Sequence, residues 1–283
     1  MSKKPPLADY NAKRDFSRSP EPAGRPGPAR PSGPRFFCVQ KHLASHLHYD
    51  FRLEHNGVLL SWAVPKGPSL DPGTKRLAMH VEDHPLDYGT FEGVIPEGYG
   101  AGIVMLWDRG TWEPEVPDVD AALARGDLKM RLEGFKLKGS WVLVRTPRDG
   151  GRSWLLIKHR DAWSSPELDI AEFAPLSVKS EGDFADILAQ DRPEIWLSNR
   201  PARGGEAGAM LEKIVARALE LRAGREKVPA AKPAKERAAA RAKPPARKAA
   251  RKVSAARAPS SRGSKSTPRR PARTPAPRSR KPR

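Results

Sequence analysis

FFCVQKHLASHLHYDFRLE, residues 36–54, alternates along its second half, with Tyr49, Phe51 and Leu53 on one side and His48, Asp50 and Arg52 on the other. Successive side chains of an extended strand point to opposite faces, so one face here is apolar and the other carries chemistry. Six of the seven histidines lie between His42 and His84, and His42, His46, His48 and His55 fall in or beside this stretch. The spacing H-x5-H-x-D formed by His42, His48 and Asp50 gathers two imidazoles and a carboxylate, a set that Mn²⁺, Zn²⁺ and Fe²⁺ accept. Arg52 continues the same face, and a cation beside a metal is the chemistry of a bound anion, most simply phosphate. That neighbour outweighs the plainer reading, in which strand histidines are satisfied by hydrogen bonds.

Working outward, residues 36–42 and 47–54 read as two strands, and Asn56-Gly57 as a type I′ hairpin turn leading into a third strand over 58–64. Lys66 follows on the rim, in Pro65-Lys66-Gly67-Pro68. From Arg76 to His84 the alternation returns: Arg76, Ala78, His80, Glu82 and His84 share a face opposite Leu77, Met79 and Val81. If the two polar faces meet inside one barrel, Arg76, Glu82 and His84 come near His42, His48 and Asp50. The Gly-rich stretch 91–102 lacks the lysine and serine of a phosphate-binding P-loop and reads as turns. Strands follow at 103–112, in LKMRLEG, in LKGSWVLVRTP and in SWLLIKHRD, with a short helix at 118–126. The expected fold is mainly β: a compact antiparallel β-barrel over 36–163 with a few short helices. Residues 164–222 form a less regular extension with a helix at 206–222, where Met210, Ile214, Val215 and Leu219 make a docking stripe.

The two ends differ in kind. Residues 1–35 are polar and rich in Pro and Gly, an extended arm in which Arg14, Asp15 and Glu21 lie close together. The chain of 283 residues carries a net charge of +19. Residues 1–222 hold 31 basic and 31 acidic side chains, whereas 223–283 hold 21 basic ones against Glu226 and Glu236 alone. This tail of Lys, Arg, Ala and Pro has no aromatic residue and is expected to be disordered. Charge of that density binds polyanions by releasing counterions, so DNA or RNA is the expected partner. The lone Cys38 fits a reducing compartment, and the sequence has neither a bilayer-length apolar run nor a secretory leader, so a cytoplasmic protein is expected.

FFCVQKHLASHLHYDFRLEHNGVLLSWAVPKGPSLDP, then KRLAMHVEDHPLDYGTFEGVIPEGYGAG, WDRGTW and WLLIKHRD, resembles the 3′-phosphoesterase domain of bacterial DNA ligase D over about residues 7–163. The resemblance implies a β-barrel that trims DNA 3′ ends in non-homologous end joining. It implies removal of a terminal ribonucleotide, then of the 3′-phosphate, with Mn²⁺ as the favoured metal. Carried over position by position, His42, His48 and Asp50 are the metal ligands. Arg52, His84, Lys66 and Arg76 are the phosphate and transition-state groups, with Glu82 and Tyr88 nearby. Arg14, Asp15 and Glu21 match elements of the arm, which makes it an expected lid. His46 stands where the family carries a basic residue and is read as a contact or spectator, and His80 sits at a variable place. The ligase motif K-x-D-G is absent, because Arg148-Asp149-Gly150 lacks the lysine. A stand-alone end-processing protein is therefore expected, acting on DNA 3′ ends beside a separate ligase and a Ku-type end-binding protein. His84 is the expected proton donor to the leaving oxygen, since imidazole titrates near neutral pH.

Two other classes compete. A non-catalytic DNA-binding or chromatin-associated protein would need the tail but not the metal constellation. A metal-dependent phosphatase for RNA or small phosphate esters would need the constellation but not DNA.

Overall fold

The structure, a computed structural model, describes residues 5–28, 33–192 and 204–227. Most of the basic tail lies outside the described residues. Ten strands form one antiparallel sheet: β1 Arg35–Leu43, β2 Leu47–His55, β3 Val58–Val64, β4 Arg76–His80, β5 His84–Pro85, β6 Gly93–Ile95, β7 Gly102–Pro114, β8 Asp127–Gly134, β9 Lys138–Arg145 and β10 Ser153–Lys158. Eight of them close into a barrel in the order β1-β2-β3-β4-β10-β9-β8-β7, with β7 pairing back onto β1. Closure leaves no edge in the barrel wall. The short β5 and β6 hang on β3 and β7.

The hairpin at Asn56-Gly57 forms as its residue types dictate, with φ of 48° and 79° in the left-handed region that a type I′ turn requires. It fixes the register Asp50↔Ala63, Phe51↔Trp62 and Arg52↔Ser61 between β2 and β3. On the other side of β2 the pairs are Gln40↔Asp50, Cys38↔Arg52 and His42↔His48. Because paired residues share a face, these registers separate two sets of side chains across three strands.

The apolar set fills the barrel. Phe37, Val39, Phe51, Leu53, Trp62, Trp107, Trp112, Leu132, Trp141 and Leu156 belong to one continuous buried cluster. Burying each large side chain contributes about 1.5–3 kcal/mol. A bulge in the β1–β7 pairing lies between Val39 and Gln40, where the partners step from Asp108 to Leu106. The extra residue, Trp107, packs into this core.

The polar set stands on the outer wall of the barrel, not inside it as the sequence reading supposed. The reason is space: aromatic and aliphatic side chains from all eight strands already occupy the interior. The outer wall over β1, β2 and β3 is covered instead by the N-terminal arm. Read from sequence as extended, the arm carries a short helix, α1 Ala8–Ala12, and buries Leu7 and Tyr10 against Val58, Leu59 and Tyr88 in a second apolar cluster. Asn11 clips the arm's return, donating to the Gly24 carbonyl at 3.0 Å and accepting from its N–H at 3.1 Å.

Four further helices follow: α2 Val119–Arg125, α3 Ile170–Phe173, α4 Phe184–Leu188 and α5 Gly205–Lys227. Asp118, Asp169 and Asp183 cap the N-termini of α2, α3 and α4. α5 runs five residues beyond the expected boundary at 222. Its docking face centres on Leu211, Val215 and Ala218, while Met210, Ile214 and Leu219 of the expected stripe are only partly buried. Arg217 pairs with Asp183 at 2.7 Å and fixes α5 beside α4.

Candidate active site

A cavity of about 170 Å³ opens on the outer wall, between the barrel, the arm and the segment 81–100. Its floor is the polar face of β1 and β2. His42, His48 and Asp50 bring one ligand atom each to within 4.8 Å of one another. Nδ1 of His42 lies 3.8 Å from Oδ2 of Asp50, and Nε2 of His48 lies 3.6 Å from Oδ1. Each imidazole has its other nitrogen on a backbone carbonyl: His42 Nε2 on Gly100 at 3.0 Å, His48 Nδ1 on His46 at 3.0 Å. A carbonyl can only accept, so those nitrogens carry the protons and the inward ones present lone pairs. Burial also holds the His48 pKa below the ordinary imidazole value, against the pull of Asp50. Two imidazoles and an ionised carboxylate converging on one point fit a divalent cation.

Asp50 remains ionised although buried. Burial pushes its carboxyl up, but Arg52, His48 and His42 outweigh this and hold it well below the usual carboxylate range. Arg52 is itself immobilised: Nε donates to Gln40 at 2.7 Å, Nη1 to Ser61 at 2.8 Å and Nη2 to Asp50 at 2.9 Å. Its guanidinium also lies 5.0 Å from the Tyr88 ring centroid. Gln40 turns its amide to the Tyr88 and Phe91 carbonyls, both at 2.9 Å, and so ties Arg52 to the wall segment.

The arm supplies the roof. Arg14 donates through Nε to Glu21 at 2.8 Å, through Nη1 to Glu82 at 3.3 Å, and approaches His84 Nε2 through Nη2 at 3.3 Å. Its guanidinium stacks 3.8 Å from the centroid of Tyr10. Lys13 pairs with the other oxygen of Glu82 at 3.0 Å. Two guanidiniums from separate parts of the chain, Arg14 and Arg52, thus line the same cavity as the cluster.

The strand expected over Arg76–His84 stops at His80, and this break decides which residues reach the cavity. Arg76 pairs with Leu156, Ala78 with Trp154 and His80 with Trp62, all on the core side. Arg76 and His80 therefore face away from the site. After the turn at Val81–Asp83, the chain re-enters as β5 with His84 opposite Leu59, which brings Glu82 and His84 into the cavity wall. Lys66 is exposed on its turn and, like Arg76, does not line the cavity. Asp15 is exposed, accepts from Ser17, and lines an adjoining cavity instead. Arg14, Glu21, Arg52, Glu82, His84 and Tyr88 are brought together with the cluster.

His84 does not look like a proton donor in this setting. Nδ1 donates to the Glu82 carbonyl at 2.9 Å, which leaves Nε2 as the acceptor facing Arg14. Burial, followed by the charges of Arg52 and Arg14, pushes its pKa well below the ordinary value. The sequence reading also passed over Gln40, Ser61 and Lys13. Gln40 was within reach, since it alternates onto the same strand face as His42.

Residues 40–145 match the family described as the DNA Ligase D 3′-phosphoesterase domain. A "Multifunctional non-homologous end joining protein LigD" of Pseudomonas aeruginosa is 50% identical over 212 residues, covering 74% of this chain and 25% of that protein. Its counterparts from Mycobacterium bovis and Mycolicibacterium smegmatis are 40% and 38% identical over 189 and 196 residues, covering 65% of this chain and 24% of each. The chain thus spans about a quarter of the length of these relatives. The matched segment contains all three residues of the cluster, together with Arg52, Glu82, His84 and Tyr88, and residues 40–145 form a domain of the DNA ligase D 3′-phosphoesterase family.

Proposed function

We propose that the chain is a divalent-metal-dependent phosphoesterase that processes DNA 3′ ends for non-homologous end joining. Water adds at phosphorus of the diester holding a 3′-terminal ribonucleoside, the bond to the nucleoside oxygen breaks, and that oxygen leaves with a proton. A second hydrolysis releases the remaining 3′-phosphate as inorganic phosphate and leaves a 3′-hydroxyl. Mn²⁺ is the cation favoured by the family. A separate ligase and a Ku-type end-binding protein are the partners that would use such an end, and the basic tail would hold the protein on DNA through counterion release.

The observation that supports this most directly is the placement of His42, His48 and Asp50 in one cavity with Arg14 and Arg52. His42, His48 and Asp50 would hold the cation, which offsets negative charge at a phosphate oxygen. Arg52 and Arg14 are pre-set donors for the other oxygens, fixed before substrate arrives, and such preorganised donors stabilise charge that develops in the transition state. Glu21 and Glu82 hold Arg14 in place, as Gln40 and Ser61 hold Arg52. His84 serves through Nε2, which accepts from Arg14 at 3.3 Å and orients it.

The test is a primer–template ending in one ribonucleotide, followed with and without Mn²⁺. Wild-type protein should trim it to a 3′-hydroxyl, EDTA should stop the reaction, and His42→Ala should show no detectable product. Wild-type protein inert on both ribonucleotide-ended and 3′-phosphate primers would sink the reading in favour of a non-catalytic DNA binder. Preference for free nucleotides or RNA would point to the small-ester phosphatase.

A further inference from the structure

We propose that Tyr99 is the stacking platform for the terminal nucleobase of the strand whose 3′ end enters the cavity. This rests on the 3′-end reading above and assigns the substrate a place in it. Tyr99 lines the cavity that contains His42, His48 and Asp50, and it also lines the adjoining one, of about 160 Å³, between the arm and residues 97–99. A terminal phosphodiester held over the cluster would set its nucleoside at this boundary.

The ring is placed there without joining any core. Among the described residues, the large apolar side chains that remain exposed are Leu77, Tyr99, Phe135, Trp163, Phe173 and Leu176, and of these Tyr99 is the one in the site wall, at 52% exposure. It is carried between Gly98 and Gly100, whose φ of 84° and 79° lie in the left-handed region. A Cβ on Gly98 would meet nothing within 4 Å, so the tip of the loop projects into open space. Its other side is anchored, because the Gly100 carbonyl is the acceptor for His42 Nε2 at 3.0 Å. The platform is therefore tethered directly to a residue of the metal cluster.

The chemistry around the ring suits a nucleotide. Lys13 Nζ sits 4.5 Å from the ring centroid and Arg14 Cζ 5.7 Å, so cations flank the aromatic surface. Aromatic rings beside cations bind successive bases of a single strand with little sequence preference, because every base has a π-face. The competing role is a clasp in which Tyr99 only holds Lys13 and the arm. Lys13 does reach the Tyr99 hydroxyl, at 3.5 Å, but it is already held by the Glu82 carboxylate at 3.0 Å, and an exposed cation–π contact adds little.

A primer–template carrying 2-aminopurine on its 3′-terminal residue, titrated with the full chain without added metal, tests the assignment. Stacking should quench the fluorescence. Tyr99→Ala should abolish the quench and weaken binding roughly tenfold or more, while Tyr99→Phe and Tyr99→Trp keep both. A strand with an abasic terminal residue should bind wild type and Tyr99→Ala alike. Quenching retained in Tyr99→Ala, no quenching in wild type, or an equal loss of affinity on the abasic strand would each overturn it, the last by showing that the ring acts through the arm. Adding Mn²⁺ to the same mixtures separates the two readings. A quench without turnover sinks the end-processing function and leaves the stacking, whereas turnover without a quench sinks the stacking alone.

Discussion

The two faces of β2 do opposite work with the same backbone. Tyr49, Phe51 and Leu53 enter a core that all eight barrel strands share, where volume and shape decide the fit. His48, Asp50 and Arg52 enter a polar network in which Arg52 is held by Gln40, Ser61 and Asp50 while His48 and Asp50 keep ligand atoms turned toward one point. Packed cores accept conservative changes of similar volume at small cost. A buried charge network does not, because removing one member leaves its partner desolvated and unsatisfied. The difference shows why a barrel can carry a site on its outside: the interior supplies stability, which leaves the outer wall free to hold charges that a fold would otherwise avoid.

The largest expected effect comes from changing adjacent residues on the two faces. Phe51→Ala should lower the unfolding free energy by about 3–5 kcal/mol through cavity formation. Asp50→Ala should cost a similar amount, about 3–5 kcal/mol, because the Arg52 guanidinium stays buried without its anion. The ligand behaviour should part the two. Phe51→Ala, at a temperature where it remains folded, should bind Mn²⁺ as wild type does, while Asp50→Ala should lose that binding. Urea unfolding and calorimetric titration measure both quantities. Mn²⁺ affinity unchanged by Asp50→Ala would break the division between the faces.

Next in size is Gln40, whose side chain touches Arg52 but no ligand atom of the cluster. Gln40→Ala removes the acceptor for Arg52 Nε and the donors to the Tyr88 and Phe91 carbonyls. Leaving such groups unsatisfied costs about 1–3 kcal/mol. Turnover should fall by roughly ten- to a hundredfold, in the manner of a lost supporting contact, with Mn²⁺ affinity preserved. Gln40→Glu, which keeps an acceptor for Arg52, should recover part of the rate.

How much of this was legible in the sequence depends on the kind of signal. Alternation in 36–54 and the Asn56-Gly57 turn specify the hairpins, since strand period and turn geometry are local properties. The same alternation could not say which face is inside. Inside and outside are settled by what the other strands contribute, and the tryptophans of β3, β7, β9 and β10 decide it. Periodicity failed at Arg76–His84 because parity is lost where a strand breaks. Val81 donates its N–H to the Ser61 carbonyl at 3.0 Å, and the chain then turns. His84 thereby reaches the site face while Arg76 remains on the core side. The arm was legible through resemblance rather than pattern, because Leu7 and Tyr10, three positions apart in a short polar stretch, are too few to establish a period.

The smallest effect is a pH dependence that reports on one histidine from each face. In metal-free protein, burial lowers the pKa of His80, on the core side beneath Trp62, and lowers that of His84 further, aided by Arg52 and Arg14. Both imidazoles stay neutral in the folded state while the unfolded chain takes up protons near pH 6.5. The unfolded state binds more protons below that point, so the stability these residues contribute is present above pH 6.5 and is lost as pH falls toward their folded values. The slope is at most about 1.4 kcal/mol per pH unit for each imidazole. Asp83 and Asp108, which burial pushes up to about 6, act with the opposite sign, taking up protons in the folded state below that pH. The informative quantity is therefore the difference between variants. His84→Gln should flatten the acid side of the stability curve down to lower pH than His80→Gln does, because the His84 pKa is displaced further. Identical curves for the two variants would mean that the charged wall around His84 adds nothing to simple burial.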